Sequence, residues 1–201
     1  MTDRVSLVMT GRGGQGGKLA MELLAWSASA QGLIPVLYSV YGALIRGGDI
    51  SSSLVVADVD PGVAICDSFD VMCALHNNWF DRYYALLRPE SVLIADKEQL
   101  DSEWFVRQDV RHVTVSFGEL AGESGDRRAS NMVAAGILAA VSGVASLESL
   151  RTGMSEVVPA HRASRIEANL AAVECGFAWA ERNVLIQDSR SARRSNHESL
   201  D

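Results

Sequence analysis

A glycine-rich segment near the amino terminus has the residue types and spacing of a loop that binds an anion or a nucleotide. Residues 11–16 follow the pattern G-x-G-x-x-G, come directly after a short apolar run and open a run of helix-forming residues. Backbone N–H groups at the start of such a helix would face a negatively charged or polar ligand. The residues predicted to form this loop are Gly11, Gly13, Gly14, Gln15 and Gly16.

The neighbours of this loop narrow the choice of ligand. A dinucleotide site needs an acid near the end of the second strand for the ribose hydroxyls, whereas the first acid after residue 37 is Asp49. A nucleotide P-loop needs Ser or Thr after its lysine, but Leu19 follows Lys18, and Arg12 stands where the first glycine belongs. The P-loop is therefore excluded and the dinucleotide site disfavoured, while tight strand–helix packing without a ligand stays open.

A second glycine cluster follows the next predicted strand. It begins with Tyr41 and Gly42 and continues with Arg46 in front of Gly47 and Gly48. Because ligands and partners bind at the carboxyl ends of the strands in open α/β sheets, we expect both glycine loops to converge at that edge. Arg46 could then present its guanidinium to a carboxylate or a phosphate. The alternative is a surface turn with one solvated arginine.

The chain contains no recognisable catalytic or metal-binding set of residues. The four histidines share no ligand spacing, the three cysteines form no C-x-x-C, and no G-x-S-x-G is present. His76, beside Asn77 and Asn78 at a predicted strand end, either lines the cleft or is an ordinary surface residue. Binding loops without an acid, base or nucleophile predict a subunit that completes the active site of another chain.

The elements that must position these loops alternate between strand and helix. Apolar runs with β-branched members predict six strands, at 5–10, 34–40, 51–57, 70–75, 91–95 and 112–117. Helix formers and helical spacing predict five helices, at 18–30, 79–87, 132–144, 148–157 and 164–183. The first strand, loop, helix and second strand form a βαβ unit. The predicted fold class is α/β, with a doubly wound, mainly parallel, Rossmann-like sheet and helical C-terminal elements.

Composition bounds the possible functions. The chain has 201 residues, 48% of them hydrophobic, and we expect one domain over 1–186 and a polar, disordered tail over 187–201. A net charge of -7 argues against nucleic-acid binding. No uncharged apolar run reaches 18 residues, so no membrane span is expected. Sparse cysteines and the lack of a signal-peptide pattern predict a cytoplasmic protein.

The GxGGQG loop after a strand, followed by Tyr41-Gly42 and by Arg46-Gly47-Gly48 before a serine-rich strand, resembles the gamma subunit of the 2-oxoacid:ferredoxin oxidoreductases. Further residues fit the same pattern, namely Asp67-Ser-Phe-Asp70, Asn131 at the start of an Ala/Gly-rich helix, and Asn169, Ala172 and Gly176 near the end. The similarity covers roughly residues 4–183. The beta subunit of indolepyruvate oxidoreductase belongs to the same domain family, so that identity stays open.

The resemblance implies a multi-subunit enzyme that oxidatively decarboxylates a 2-oxoacid such as pyruvate, usually to an acyl-CoA, and passes electrons to ferredoxin or a similar acceptor. Thiamine diphosphate with Mg and the iron–sulfur clusters would lie on partner subunits, so this chain would bind none of these cofactors alone. Its partners would be thiamine-binding alpha- and beta-type subunits and an iron–sulfur subunit or ferredoxin. The two glycine loops and Asn131 would close the side of the site that takes the 2-oxoacid or coenzyme A.

Within that family, Arg46 would be the anion contact and loop 11–17 a platform of backbone donors at the interface. One position departs from the family pattern, because members often carry an acid two residues before Arg-Gly-Gly and this chain has Leu44. Either the contact of that acid is missing, or the substrate differs from pyruvate. The alternative function is a free-standing dinucleotide- or nucleotide-binding regulatory module, which the missing ribose acid disfavours.

Overall fold

The computed structural model describes residues 4–42, 47–63 and 65–185. Within these residues, six strands lie in one sheet: β1 (Val5–Arg12), β2 (Ile34–Tyr41), β3 (Asp49–Ala57), β4 (Phe69–Ala74), β5 (Leu87–Asp96) and β6 (Arg111–Val115). Their order across the sheet is β2-β3-β1-β4-β5-β6.

One strand runs against the other five. β3 lies between β1 and β2 and is antiparallel to both, with Asp49 beside Arg12 and Ile50 beside Tyr41. β4, β5 and β6 are parallel to β1. The predicted α/β fold with a mainly parallel sheet is thus confirmed. The start of β3 and the ends of β1 and β2 therefore lie together at the carboxyl edge of the parallel strands.

Helices cover both faces of this sheet unequally. The described part of the chain has six α-helices: α1 (Gly17–Ala30), α2 (Phe80–Tyr84), α3 (Phe117–Glu123), α4 (Ser130–Ser142), α5 (Leu147–Val157) and α6 (Ile166–Ala180). All of them except α2 pack in one large apolar core on one face. The short α2 and the segment 97–110 pack on the other face.

Two helical predictions need correction. The helix expected over 79–87 is limited to the five residues of α2, because β5 already begins at Leu87 and includes Pro89. Proline disfavours the helical conformation of the residue that precedes it, so Arg88, which precedes Pro89, is extended. The helix α3, which is short and follows β6 directly, was not predicted. The helix expected over 164–183 is divided into a 3₁₀ turn at 160–165, α6 and a π-helical turn at 181–185.

The helices α4 and α6 touch backbone to backbone where each carries a glycine. A Cβ added to Gly136 would lie 2.1 Å from the carbonyl oxygen of Val173, and one added to Gly176 would lie 2.1 Å from that of Val133. Backbone atoms cannot rotate away as a side chain can, so glycine is required at both positions. The two helices therefore cross in direct backbone contact at these glycines.

None of the helices in the described part of the chain is long and apolar enough to cross a membrane. The predicted tail, 187–201, lies outside the described residues. The division of the chain into one domain and a tail therefore stays a prediction.

Candidate functional site

The two glycine loops lie against each other at the carboxyl edge of the sheet. The N–H of Gly13 donates to the carbonyl oxygen of Gly48 at 2.8 Å, and Nε of Arg12 donates to the carbonyl oxygen of Gly47 at 3.1 Å. Gly47 has a φ of 69°, in the left-handed region that favours glycine. The structure therefore brings together the two loops that the sequence placed at one edge.

Gln15 supports the first loop from within. Its Oε1 accepts a hydrogen bond from the N–H of Arg12 at 2.6 Å, and its Nε2 donates to the carbonyl oxygen of Leu75 at 3.2 Å. The side chain thereby joins the ends of β1 and β4. A Cβ on Gly11 would lie 2.9 Å from Oε1 of Gln15, so glycine at position 11 leaves room for this amide.

Asn131 holds the same loop from α4. Its Nδ2 donates to the carbonyl oxygen of Gly16 at 3.1 Å. Gly16 has a φ of 80°, and a Cβ there would lie 2.6 Å from Nδ2 of Asn131. Glycine is required at position 16 on both counts. Asn131 entered the predicted site only through the family resemblance, and this contact gives it a structural place there.

The other predicted site residues are distributed along the edge. Gly14, with a φ of 103°, has open space where a Cβ would point. Tyr41 is 60% exposed, and the N–H of Gly42 donates to the carbonyl oxygen of Asp49 at 2.7 Å. Arg46, the predicted anion contact, lies outside the described residues.

A cavity of about 550 Å³ opens between the first glycine loop and the amino-terminal ends of α4 and α6. Residues 14–16 line it beside the start of α1, where the first backbone N–H groups of the helix have no helical acceptors. Asn131 and Asn169 also line the cavity, and both are buried, with 7% and 6% exposure. The amide of Asn169 forms no hydrogen bond to the described residues. The amide is not among the fully buried, unpartnered polar atoms of the described residues, so it reaches the cavity and can bond to a polar ligand there.

Three arginines line the same cavity: Arg128, Arg162 and Arg165. Asp126 pairs with two of them, since its carboxylate oxygens lie 3.0 Å from Nε of Arg128 and 2.8 Å from Nη2 of Arg165. The hydrogen bonds from Arg128 lower the pKa of Asp126, which keeps the carboxylate ionised. Arg162 has no ion pair within the described part of the chain. Three guanidinium groups against one carboxylate make this side of the cavity positively charged.

These arginines were not predicted as site residues. They lie in the short 3₁₀ turns that precede α4 and α6, at Arg127–Ala129 and Ala160–Arg165, where no sequence motif marks them. The arrangement of arginine, asparagine amide and free backbone N–H groups suits an anion such as a phosphate. Within the described residues, no group of three or more His, Cys, Asp or Glu side chains could hold a metal ion.

Comparison with known proteins decides the family. A model of the family described as pyruvate ferredoxin/flavodoxin oxidoreductase matches residues 6–179. The chain belongs to the pyruvate ferredoxin/flavodoxin oxidoreductase family. The resemblance stated from the two glycine loops is thereby confirmed, and a free-standing nucleotide-binding module is not favoured.

Two relatives show how this family unit is used. The chain is 30% identical over 183 residues to the ketoisovalerate oxidoreductase subunit VorA of Methanothermobacter marburgensis, covering 90% of this chain but 37% of that one. It is 27% identical to the 2-oxoglutarate synthase subunit KorC of Archaeoglobus fulgidus, covering 90% of this chain and 91% of the relative. The unit therefore occurs both within a longer chain and as nearly a whole chain.

A solved structure agrees with the fold. The gamma subunit of a keto/oxoacid ferredoxin oxidoreductase from Geobacter sulfurreducens superposes with a TM-score of 0.75 at 27% identity, covering 90% of this family member and 98% of that subunit. The α/β architecture is therefore shared along nearly the whole of that gamma subunit.

Proposed function

We propose that this chain is a subunit of a 2-oxoacid:ferredoxin oxidoreductase that oxidatively decarboxylates a 2-oxoacid to an acyl-CoA. Membership of the family and similarity to a KorC subunit and a gamma subunit support this role. In this proposal, thiamine diphosphate, Mg and the iron–sulfur clusters lie on partner subunits. The electrons pass to ferredoxin or a similar acceptor.

The observation that carries the proposal is the positively charged cavity beside the glycine loop. Coenzyme A carries several phosphates, and arginine side chains and helix-start N–H groups are the donors that bind phosphate well. We assign the phosphates of coenzyme A to the arginines of the cavity, with Asn169 as a donor or acceptor deeper inside. The residues of this chain bind and orient coenzyme A, and the partner subunits supply the group that reacts with the 2-oxoacid.

The 2-oxoacid that is oxidised must be identified with the assembled enzyme. Relatives are named for ketoisovalerate and 2-oxoglutarate, and indolepyruvate and pyruvate complete the set of substrates to test. Assays of the purified native complex with each acid, with and without coenzyme A, would identify the substrate. A chain that purifies as a lone homo-oligomer and binds NAD tightly would refute the subunit role.

Binding measurements on the native complex test whether the cavity holds the phosphates of coenzyme A. Arg162→Ala should weaken both coenzyme A and adenosine 3′,5′-bisphosphate by about tenfold, because it removes one charge-assisted hydrogen bond. Arg151→Ala is the matched control, since Arg151 pairs with Glu174 on α6 and does not line the cavity. Equal affinities of the two variants for both ligands would overturn the assignment of the phosphates to this cavity.

A further inference from the structure

The turn after β4 forms the second wall of the crevice at the carboxyl edge. β1 continues into α1 on one face of the sheet, whereas its neighbour β4 continues into α2 on the opposite face. Where the chain leaves two adjacent strands toward opposite faces of the sheet, a crevice opens between the two strand ends. Ligands of open α/β sheets bind in such a crevice. The glycine loop of residues 11–16 is one wall, and residues 75–79 are the other.

This turn is bonded to both glycine loops. The N–H of Leu75 donates to the carbonyl oxygen of Thr10 at 2.9 Å, and Leu75 accepts from Gln15 as described above. Nδ2 of Asn78 donates to Oδ1 of Asp49, which follows the second glycine loop. Residues 75–79 are therefore as closely tied to the candidate site as the two loops are to each other.

Within the turn, a hydrogen bond orients the ring of His76. Its Nδ1 accepts a hydrogen bond from the N–H of Asn78 at 3.3 Å, so the proton of the neutral ring lies on Nε2. Trp79, with a φ of 54°, has a left-handed conformation that is rare for a bulky residue, and it fixes the direction in which the turn enters α2. Nε2 of the half-buried His76 has no partner within the described residues.

We propose that Nε2–H of His76 donates a hydrogen bond to an amide carbonyl oxygen in the pantetheine arm of coenzyme A. This inference rests on the proposed function, in which the arginine-lined cavity holds the phosphates. Gln15 lines that cavity, and its amide bonds to the carbonyl oxygen of Leu75, the residue directly before His76. His76 itself lies outside the cavity lining, on the turn at the other side of Gln15. An imidazole N–H is a suitable donor to an amide oxygen and would direct the arm toward the active site on the partner subunit.

Two probes and two variants test the proposal in the native complex. Coenzyme A reports on the whole site, whereas adenosine 3′,5′-bisphosphate lacks the pantetheine arm and reports on the phosphate cavity alone. His76→Asn keeps an acceptor for the N–H of Asn78 but loses the distal donor, whereas His76→Gln places an amide N–H near the position of Nε2. We expect His76→Asn to raise the Kd of coenzyme A by about 3- to 10-fold, with the bisphosphate unchanged. We expect His76→Gln to bind both probes as the wild type does.

The outcomes separate the inference from the proposed function. If the wild-type complex binds neither probe, the proposed function fails, and the inference fails with it. If the wild type binds both probes but His76→Asn leaves coenzyme A unaffected, or weakens both probes equally, the inference alone is wrong. It is also wrong if His76→Gln does not restore affinity, or if His76→Asn weakens assembly of the complex, because His76 would then contact the partner chain.

Discussion

Gly176→Ala should be among the most damaging small substitutions in this chain. The added Cβ would lie 2.1 Å from the carbonyl oxygen of Val133 and 2.9 Å from its carbonyl carbon. Ordinary contacts of a Cβ begin near 3.4 Å, so α4 and α6 must move apart by more than about 1 Å. A gap of that size forfeits about a quarter to a half of each dispersion contact across the crossing.

The expected loss of stability combines two opposing effects. Alanine gains about 0.5–1 kcal/mol over glycine in a helix interior, whereas overpacking a core typically costs about 1–3 kcal/mol and sometimes more. The upper end applies here, because the clash is between backbones and the neighbours Met132 and Ala172 are fully buried. We expect a net loss of about 2 kcal/mol or more in the free energy of unfolding.

Urea unfolding followed by circular dichroism measures this loss, with Gly122→Ala as the control. Gly122 also lies in a helix, but a Cβ there would meet only the flexible side chain of Arg127, at 3.1 Å. The control should therefore be neutral or stabilised by up to about 1 kcal/mol. If Gly176→Ala unfolds at the same urea concentration as Gly122→Ala, the backbone contact between α4 and α6 does not exist as described.

Two further predictions concern the edge of the sheet. Burial raises the pKa of Asp96 to about 6, so ionisation destabilises the folded chain, and stability falls as pH rises from about 4 through 6. Solvent screening of this half-buried group limits the effect to about 1 kcal/mol. Asp96→Asn should therefore have a higher Tm than the wild type at pH 8 but not at pH 4, and equal differences at both would contradict the stated cause. Gly16→Ala should lower the free energy of unfolding by about 1–3 kcal/mol, because alanine is strained at the positive φ of this position. In calorimetry it should also bind adenosine 3′,5′-bisphosphate less tightly than Gly32→Ala does. Gly32 also has a positive φ but open space around it.

The sequence predicted that the two glycine loops meet, because this meeting follows from one rule: parallel strands end at the same edge of the sheet. It could not predict the direction of β3. Residues 51–57 are all buried, and a strand buried on both faces has the same apolar pattern whether its neighbours are parallel or antiparallel. β3 returns antiparallel beside β2, and the N–H of Gly42 donates to the carbonyl oxygen of Asp49 where the two strands meet.

The arginines of the cavity were beyond prediction for a different reason. Arg128 and Arg165 are 37 positions apart in turns without periodicity, and they meet only because both bond to Asp126. That meeting depends on how α6 packs on α4, which local sequence patterns do not encode. By contrast, the glycine loop is a local motif whose spacing is itself the signal.

Through α4, the packing of the core is coupled to the loop at which we propose that phosphate binds. Asn131 bonds to the carbonyl oxygen of Gly16 at 3.1 Å, and Gly136 contacts α6 about 7.5 Å further along the same helix axis. A helix this short moves as a rigid unit, so a shift of about 1 Å at the crossing stretches the bond at Asn131 beyond hydrogen-bonding distance. The loop would then lose its support, and the N–H groups that we propose bind phosphate would lose their position. Gly176→Ala should therefore weaken binding of adenosine 3′,5′-bisphosphate in conditions where the variant is still fully folded, and Gly122→Ala should not.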